Sequence, residues 1–194
     1  TAAHAAGNPW DGRSALDGAE MMNMGVQFLR EHMEPKCSIH YSIADAGGIS
    51  PNVVQPKAKL VYMVRAETVR KAKALLARVN DIAKGAALMS GTEVTWHQLD
   101  GTSDTLSNTV LEELLYKNLQ EAPMPEYTAD ERQFAADLRK TYPHEGLPGD
   151  NVETKPVLRK QIVALSDKGQ KDINDFVVPY YPAYHYNPGS TDVG

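Results

Sequence analysis

Residues 1–33 read TAAHAAGNPWDGRSALDGAEMMNMGVQFLREHM, joining one histidine, His4, to a Pro/Gly turn and then to a patterned helix. Ser14 suits the N-cap because its hydroxyl can accept from the first free backbone N–H groups, and Asp17 three residues on reinforces that start. Ala15, Ala19, Met22, Val26, Leu29 and Met33 then recur at spacings of four and three, which lays one apolar stripe along a helix. Gln27, Arg30 and Glu31 fall off the stripe. Ahead of the helix, Pro9 fixes its own torsion and Gly12 accepts angles other residues avoid, so a bent loop is expected to hold His4 at the helix entrance. Taken alone, His4 reads as an ordinary loop histidine.

Downstream, Cys37 to Ala44 alternates, with Ile39, Tyr41 and Ile43 on one side and Ser38, His40 and Ser42 on the other. That is the pattern of a half-buried strand. Gly47-Gly48 marks a turn, and Pro51 and Pro56 keep the next residues extended. Lys59 to Arg65 sets Leu60, Tyr62 and Val64 against Val61, Met63 and Arg65, and closeness in sequence favours an antiparallel pair. Glu67 to Met89 predicts a second helix, with Val69, Ala72, Leu76, Val79, Ala83 and Ala86 as its stripe. Acidic Glu67 at its start and Lys84 near its end suit the helix dipole. Gly85 costs about 1 kcal/mol against alanine inside a helix, and Gly91 is the better stop.

Thr92 to Leu99 returns to strand character through Val94 and Trp96. With a strand ending just at Thr1, the order becomes β-α-β-β-α-β. The expected fold is therefore α+β over residues 1–104: a ferredoxin-like sandwich, a four-stranded antiparallel sheet with two helices on one face. Residues 105–194 are expected to form a separate segment. Asp100 to Ser107 is a polar connector, Val110 to Leu119 an amphipathic helix, and Thr128 with Glu131 a capping box opening a helix through Arg139. From Tyr142 prolines and glycines suggest a long excursion. Val157 to Ser166 reads equally as helix or strand, and the aromatic, proline-rich 179–186 as a packed irregular segment.

Composition narrows the function classes. With 194 residues, 42% hydrophobic and 23% charged, the chain can bury a real core. A net charge of −5 without clustered cations argues against nucleic acid. No apolar run approaches the roughly 20 residues of a membrane span. The single cysteine, Cys37, rules out an internal disulfide and fits a reducing, cytoplasmic setting. The six histidines are scattered with no His-Glu-x-x-His spacing, and there is no phosphate loop, nucleophile elbow or dinucleotide fingerprint. No metal site is expected from this chain.

The string His4-Ala5-Ala6, Pro9, Gly12, Ser14-Ala15-Leu16 resembles the start of the lid, or dimerisation, domain of the aminoacylase and carboxypeptidase-like amidohydrolase family of dinuclear metal enzymes. The resemblance implies that His4 donates a hydrogen bond to the oxyanion in a neighbouring subunit's active site. It also implies that Asn52, in Gly47-Gly48 followed by Asn52-Val53-Val54, binds the substrate's carboxylate end. Here Gln55 precedes Pro56, where most relatives carry the proline directly. Arg65, thirteen residues after Asn52, matches an arginine that grips a carboxylate, a task its planar fork suits. Without the resemblance, Asn52 is a turn residue and Arg65 a strand arginine paired with an acid such as Glu67.

Gly189 to Gly194 resembles a catalytic-domain loop beside the substrate, which puts Thr191 among the substrate contacts. The stretch from Ile82 to Thr92 resembles the aminobenzoyl-glutamate-cleaving subgroup. Taken together, these resemblances imply a lid plus a partial α/β catalytic-domain segment of a longer polypeptide, inert alone. Its partners are a small-molecule amide substrate, the rest of its own catalytic domain and a second copy bound through the lid. Divalent metal ions, zinc or manganese, would be held by residues outside the chain. The alternative is a non-catalytic ferredoxin-like module that binds a small molecule or dimerises.

Overall fold

A computed structural model of the chain describes residues 1–141, 156–166 and 176–180. Among them the chain forms two compact units, one up to Thr105 and one from Leu106 onward.

The first unit is a helix pair laid on a hairpin. A single 3-10 turn, Pro9–Asp11, leads into α1, Ala15–Arg30. Ser14 caps it as expected, its Oγ accepting from the Asp17 N–H at 3.0 Å. Ala19, Val26 and Leu29 of the stripe are buried, and Met22 and Met33 pack against the core. Strands β1, Ser38–Asp45, and β2, Lys59–Arg65, pair antiparallel. The register sets Ile39 opposite Val64, Tyr41 opposite Tyr62 and Ile43 opposite Leu60, the alternation read from the sequence.

Helix α2, Val69–Ser90, begins two residues later than expected. Thr68 caps it through a hydroxyl that accepts from the Lys71 N–H, and Gly91 ends it in the left-handed region at φ 62°. Its buried residues are Leu75, Val79, Ala83, Ala86 and Ala87, so Leu75 and not Leu76 enters the core. A three/four spacing tolerates that one-step rotation, and contact with α1 decides it. A Cβ on Gly25 would lie 2.7 Å from Ile82 Cγ2, and one on Gly18 2.8 Å from Ser90 Oγ. These two small positions let the helices cross closely.

The core joins Val26, Leu29, Ile39, Leu75 and Val79. Tyr62 donates its hydroxyl to Asn23 Oδ1 at 2.5 Å, tying sheet to helix, and burial pushes that phenol above its usual pKa. The Arg30 guanidinium donates to the Ile39 carbonyl and lies 6.0 Å from the Tyr41 ring centre, which covers part of the β1 edge.

Two expectations are corrected. Thr92–Leu99 has no strand structure, and the sheet among the described residues has two strands. Side-chain alternation satisfies no backbone N–H or C=O group; a strand needs a neighbour, and β1 and β2 pair with each other. Trp96 and Leu99 stay exposed, with Lys84 Nζ 5.7 Å from the Trp96 ring. The observed unit is thus α+β with a hairpin and two helices, without the four strands of a ferredoxin-like sandwich.

The second unit is helical among its described residues, with no strand of the expected α/β segment. It holds α3, Thr109–Glu121, α4, Ala129–Arg139, and α5, Pro156–Leu165. Asn108 caps α3, and Thr128 with Glu131 closes the expected capping box. The ambiguous stretch from Val157 is helical, starting on the proline that suits a first helical position. Tyr180 donates to Glu112 Oε2 at 3.0 Å. No helix among the described residues is long and apolar enough to cross a membrane. The expected excursion from Tyr142 and most of the aromatic tail lie outside the described residues.

Candidate functional site

Two loops far apart in sequence meet at the entrance to α1. His4 and Val53 form an isolated antiparallel bridge, in which the Ala5 N–H donates to the Asn52 carbonyl at 2.9 Å and the Val54 N–H to the Ala3 carbonyl at 2.9 Å. The loop also closes on itself: the Arg13 N–H donates to the Thr1 carbonyl, and the Thr1 backbone nitrogen to the Arg13 carbonyl. Gly12 sits where the strands of this knot touch. A Cβ there would lie 2.9 Å from Val54 Cγ1 and 3.0 Å from Ala3 Cβ. Gln55, where the sequence departs from the expected proline, is a joint: its carbonyl accepts from the Ala15 N–H at 2.8 Å and so docks the first turn of α1.

The His4 ring is exposed but anchored. Its Nδ1 accepts from the Gly7 N–H at 2.9 Å and the Ala6 N–H at 3.2 Å. An Nδ1 that accepts carries no proton, so the neutral ring bears its N–H on Nε2. The His4 backbone N–H donates to Asn8 Oδ1, and Asn8 Nδ2 donates to Asp11 Oδ2 at 3.0 Å, which holds the turn beneath the ring. A cleft of about 300 Å³ runs beside the bridge between Pro9, Asp17, Pro51 and Gln55. Upstream of Asn52, Asp45 accepts from the Gly47 N–H at 2.8 Å and pairs with Lys57 at 3.3 Å. The Gly47 hydrogen bond first, then Lys57, holds the Asp45 carboxyl below the usual carboxylate range. Gly47 and Gly48 adopt φ 89° and 120°, which the glycine pair makes accessible.

Arg65 is elsewhere. It ends β2 opposite Ser38, and from Lys59 to Arg65 an extended strand covers about 20 Å. Helix α1 gives the same measure independently: Ala15 is bonded to Gln55 at one end and Arg30 to Ile39, opposite Val64, at the other, about 22 Å of helix rise apart. His4 and Asn52 are thus brought together, and Arg65 occupies the far end of the same layer. There its Nε lies 3.1 Å from Met63 Sδ. Nearby Glu67 is engaged by Lys36 at 3.6 Å and Lys71 at 3.7 Å. Thr191 lies outside the described residues.

Among the described residues no group of three or more His, Cys, Asp and Glu side chains could hold a metal ion, so those residues do not fit the divalent ions that the resemblance implies. Two positions carry more than their residue types announce. Asn8, directly before Pro9, has a turn signal. Gln55 acts through its backbone and leaves no signal.

A histidine loop and an asparagine loop are thus stitched together at one end of a helix-covered hairpin. Residues 1–89 match the peptidase dimerisation domain family. The chain is 36% identical to a p-aminobenzoyl-glutamate hydrolase subunit of Escherichia coli (strain K12) over 195 aligned positions, covering 100% of this chain and 40% of that protein. It is also similar to Xaa-Arg dipeptidases. The Mus musculus enzyme is 36% identical over 48% of this chain and 21% of its own length. The Homo sapiens enzyme is 30% identical over 62% of this chain and 27% of its own. The chain thus spans well under half the length of these relatives.

Proposed function

We propose that this chain is the lid, with an adjoining segment, of a metal-dependent amidohydrolase that cleaves an N-acyl amino acid or an aminobenzoyl-glutamate-like amide. The observation that carries the reading is the anchored His4 ring. Water attacking an amide carbon leaves negative charge on the carbonyl oxygen, and a donor already fixed in place stabilises that charge without reorganising. With Nδ1 occupied by two backbone amides, Nε2–H is such a donor. Asn52, bridged beside it, would bind the carboxylate end of the substrate. Arg65 would grip a carboxylate through its fork. The divalent ions are assigned to residues outside this chain.

The separation of the two ends supports a homodimer. A small amide cannot reach both His4 and Arg65 across some 20 Å of one copy, so one substrate would meet His4 and Asn52 of one subunit and Arg65 of the other. The test uses the full-length enzyme. His4→Ala should lower kcat about 100- to 1,000-fold with metal content unchanged, and Arg65→Ala should mainly raise KM. Assayed at substrate far below the KM of Arg65→Ala, where each variant alone is slow, mixing the two under conditions that exchange subunits should restore activity, up to about a quarter of wild type, because half the dimers then carry one intact site. Wild-type turnover by His4→Ala, or no recovery on mixing, would contradict the proposal.

A further inference from the structure

We infer that Asn8 is a positioning residue for the His4 ring: its side-chain amide, tied to Asp11, closes the turn that presents two backbone N–H groups to Nδ1. The inference rests on the reading of His4 as the oxyanion donor.

Residues 4–8 form one closed turn. The Asn8 N–H donates to the His4 carbonyl at 3.1 Å, and the His4 N–H donates to Asn8 Oδ1 at 3.3 Å. Both backbone groups of His4 therefore end on Asn8, while Ala3 and Ala5 on either side carry the bonds to Val54 and Asn52. The N–H groups of Ala6 and Gly7, inside the turn, are the two that reach the imidazole Nδ1. The ring also packs on the turn, since a Cβ on Gly7 would lie 3.4 Å from Nδ1.

Asn8 uses its amide in both senses. Oδ1 accepts from His4, and Nδ2 donates to Asp11 Oδ2 at 3.0 Å. The Asn8 carbonyl accepts from the Asp11 N–H at 3.2 Å, so residues 8 and 11 are joined twice across the 3-10 turn. A short planar group with an acceptor at one corner and a donor at the other meets both demands. A carboxylate in its place would accept from His4 but face Asp11 with like charge, and a methyl group would release both neighbours. Once the turn opens, the Ala6 and Gly7 amides lose their aim. Nδ1 then competes with Nε2 for the single proton of the neutral ring, and the donor has to be reoriented in each turnover.

The test uses the full-length enzyme. Asn8→Ala should lower kcat about tenfold, with KM and metal content unchanged. In a His4→Ala background the same substitution should have no further effect on kcat, because no ring is left to place. Asn8→Asp should fall about as far as Asn8→Ala, and adding Asp11→Asn, which returns a donor opposite the new carboxylate, should recover most of the loss. In the chain labelled with 15N-histidine, the His4 signal should pass from a single tautomer in wild type to an averaged one in Asn8→Ala. Wild-type kcat in Asn8→Ala, an equal loss in both backgrounds, or no recovery by the paired exchange would overturn the role of Asn8. The tautomer signal is read without turnover. If His4→Ala works as fast as wild type while Asn8→Ala still averages that signal, the oxyanion reading has failed and the placement of the ring by Asn8 stands.

Discussion

The two ends of the helix-covered hairpin hold His4 and Arg65 by different means. At the α1 entrance, His4 is fixed by backbone amides: two N–H groups on its Nδ1 and a bridge between its loop and Asn52-Val53. At the far end, Arg65 is fixed by strand register, opposite Ser38 and in line with His40 and Met63. The first arrangement fails when the loop loosens, even with every side chain intact. The second fails only when the ladder slips, because register flips whole faces. The donor role proposed for His4, which must not reorganise, and the grip proposed for Arg65, which needs only reach, thus rest on different structural means.

The largest structural effect that separates the ends is expected at Gly12. Gly12→Ala forces a methyl against Val54 and Ala3, costing about 1–3 kcal/mol as an overpacked contact. Thermal denaturation should show a lowered Tm, and hydrogen exchange should quicken at Ala5 and Val54 while the hydrogen-bonded amides of the β1–β2 ladder keep their protection. Val54→Ala in the same chain should recover part of the loss. Equal quickening at both ends would mean that the loop and the ladder form one cooperative unit, and the comparison would break.

A smaller effect is expected from pH at the Gly47 turn. Asp45 has a folded-state pKa below its unfolded one, so its stabilising contribution is complete above the unfolded value and is lost as pH falls through the folded value. An NMR titration of the Gly47 amide should give a midpoint below the usual aspartate range, with the β1–β2 ladder amides unmoved. A midpoint at or above that range would remove the Asp45–Gly47 contact from the account.

Much of the first unit is legible in the sequence because its signals are carried by side chains. Ser14 with Asp17 marks the start of α1, and Ile39, Tyr41 and Ile43 against Leu60, Tyr62 and Val64 mark the hairpin and its faces. Thr92–Leu99 misleads because alternation reports a face and not a partner. Leu76 stands in for Leu75 in the sequence pattern because a helical stripe leaves its rotation free by a step. The spacing from Asn52 to Arg65 matches a family pattern, but spacing alone does not say that extended chain carries Arg65 to the opposite end. The His4–Val53 bridge is hidden altogether, since backbone hydrogen bonds between distant loops leave no trace in residue type.

The protonation of the His4 ring tests the central claim most directly. In the chain labelled with 15N-histidine, at a pH where the ring is neutral, long-range proton–nitrogen correlation distinguishes the two tautomers. The account predicts the proton on Nε2, with Nδ1 accepting from Ala6 and Gly7. A proton on Nδ1, or the averaged signal of a freely exchanging loop imidazole, would contradict it.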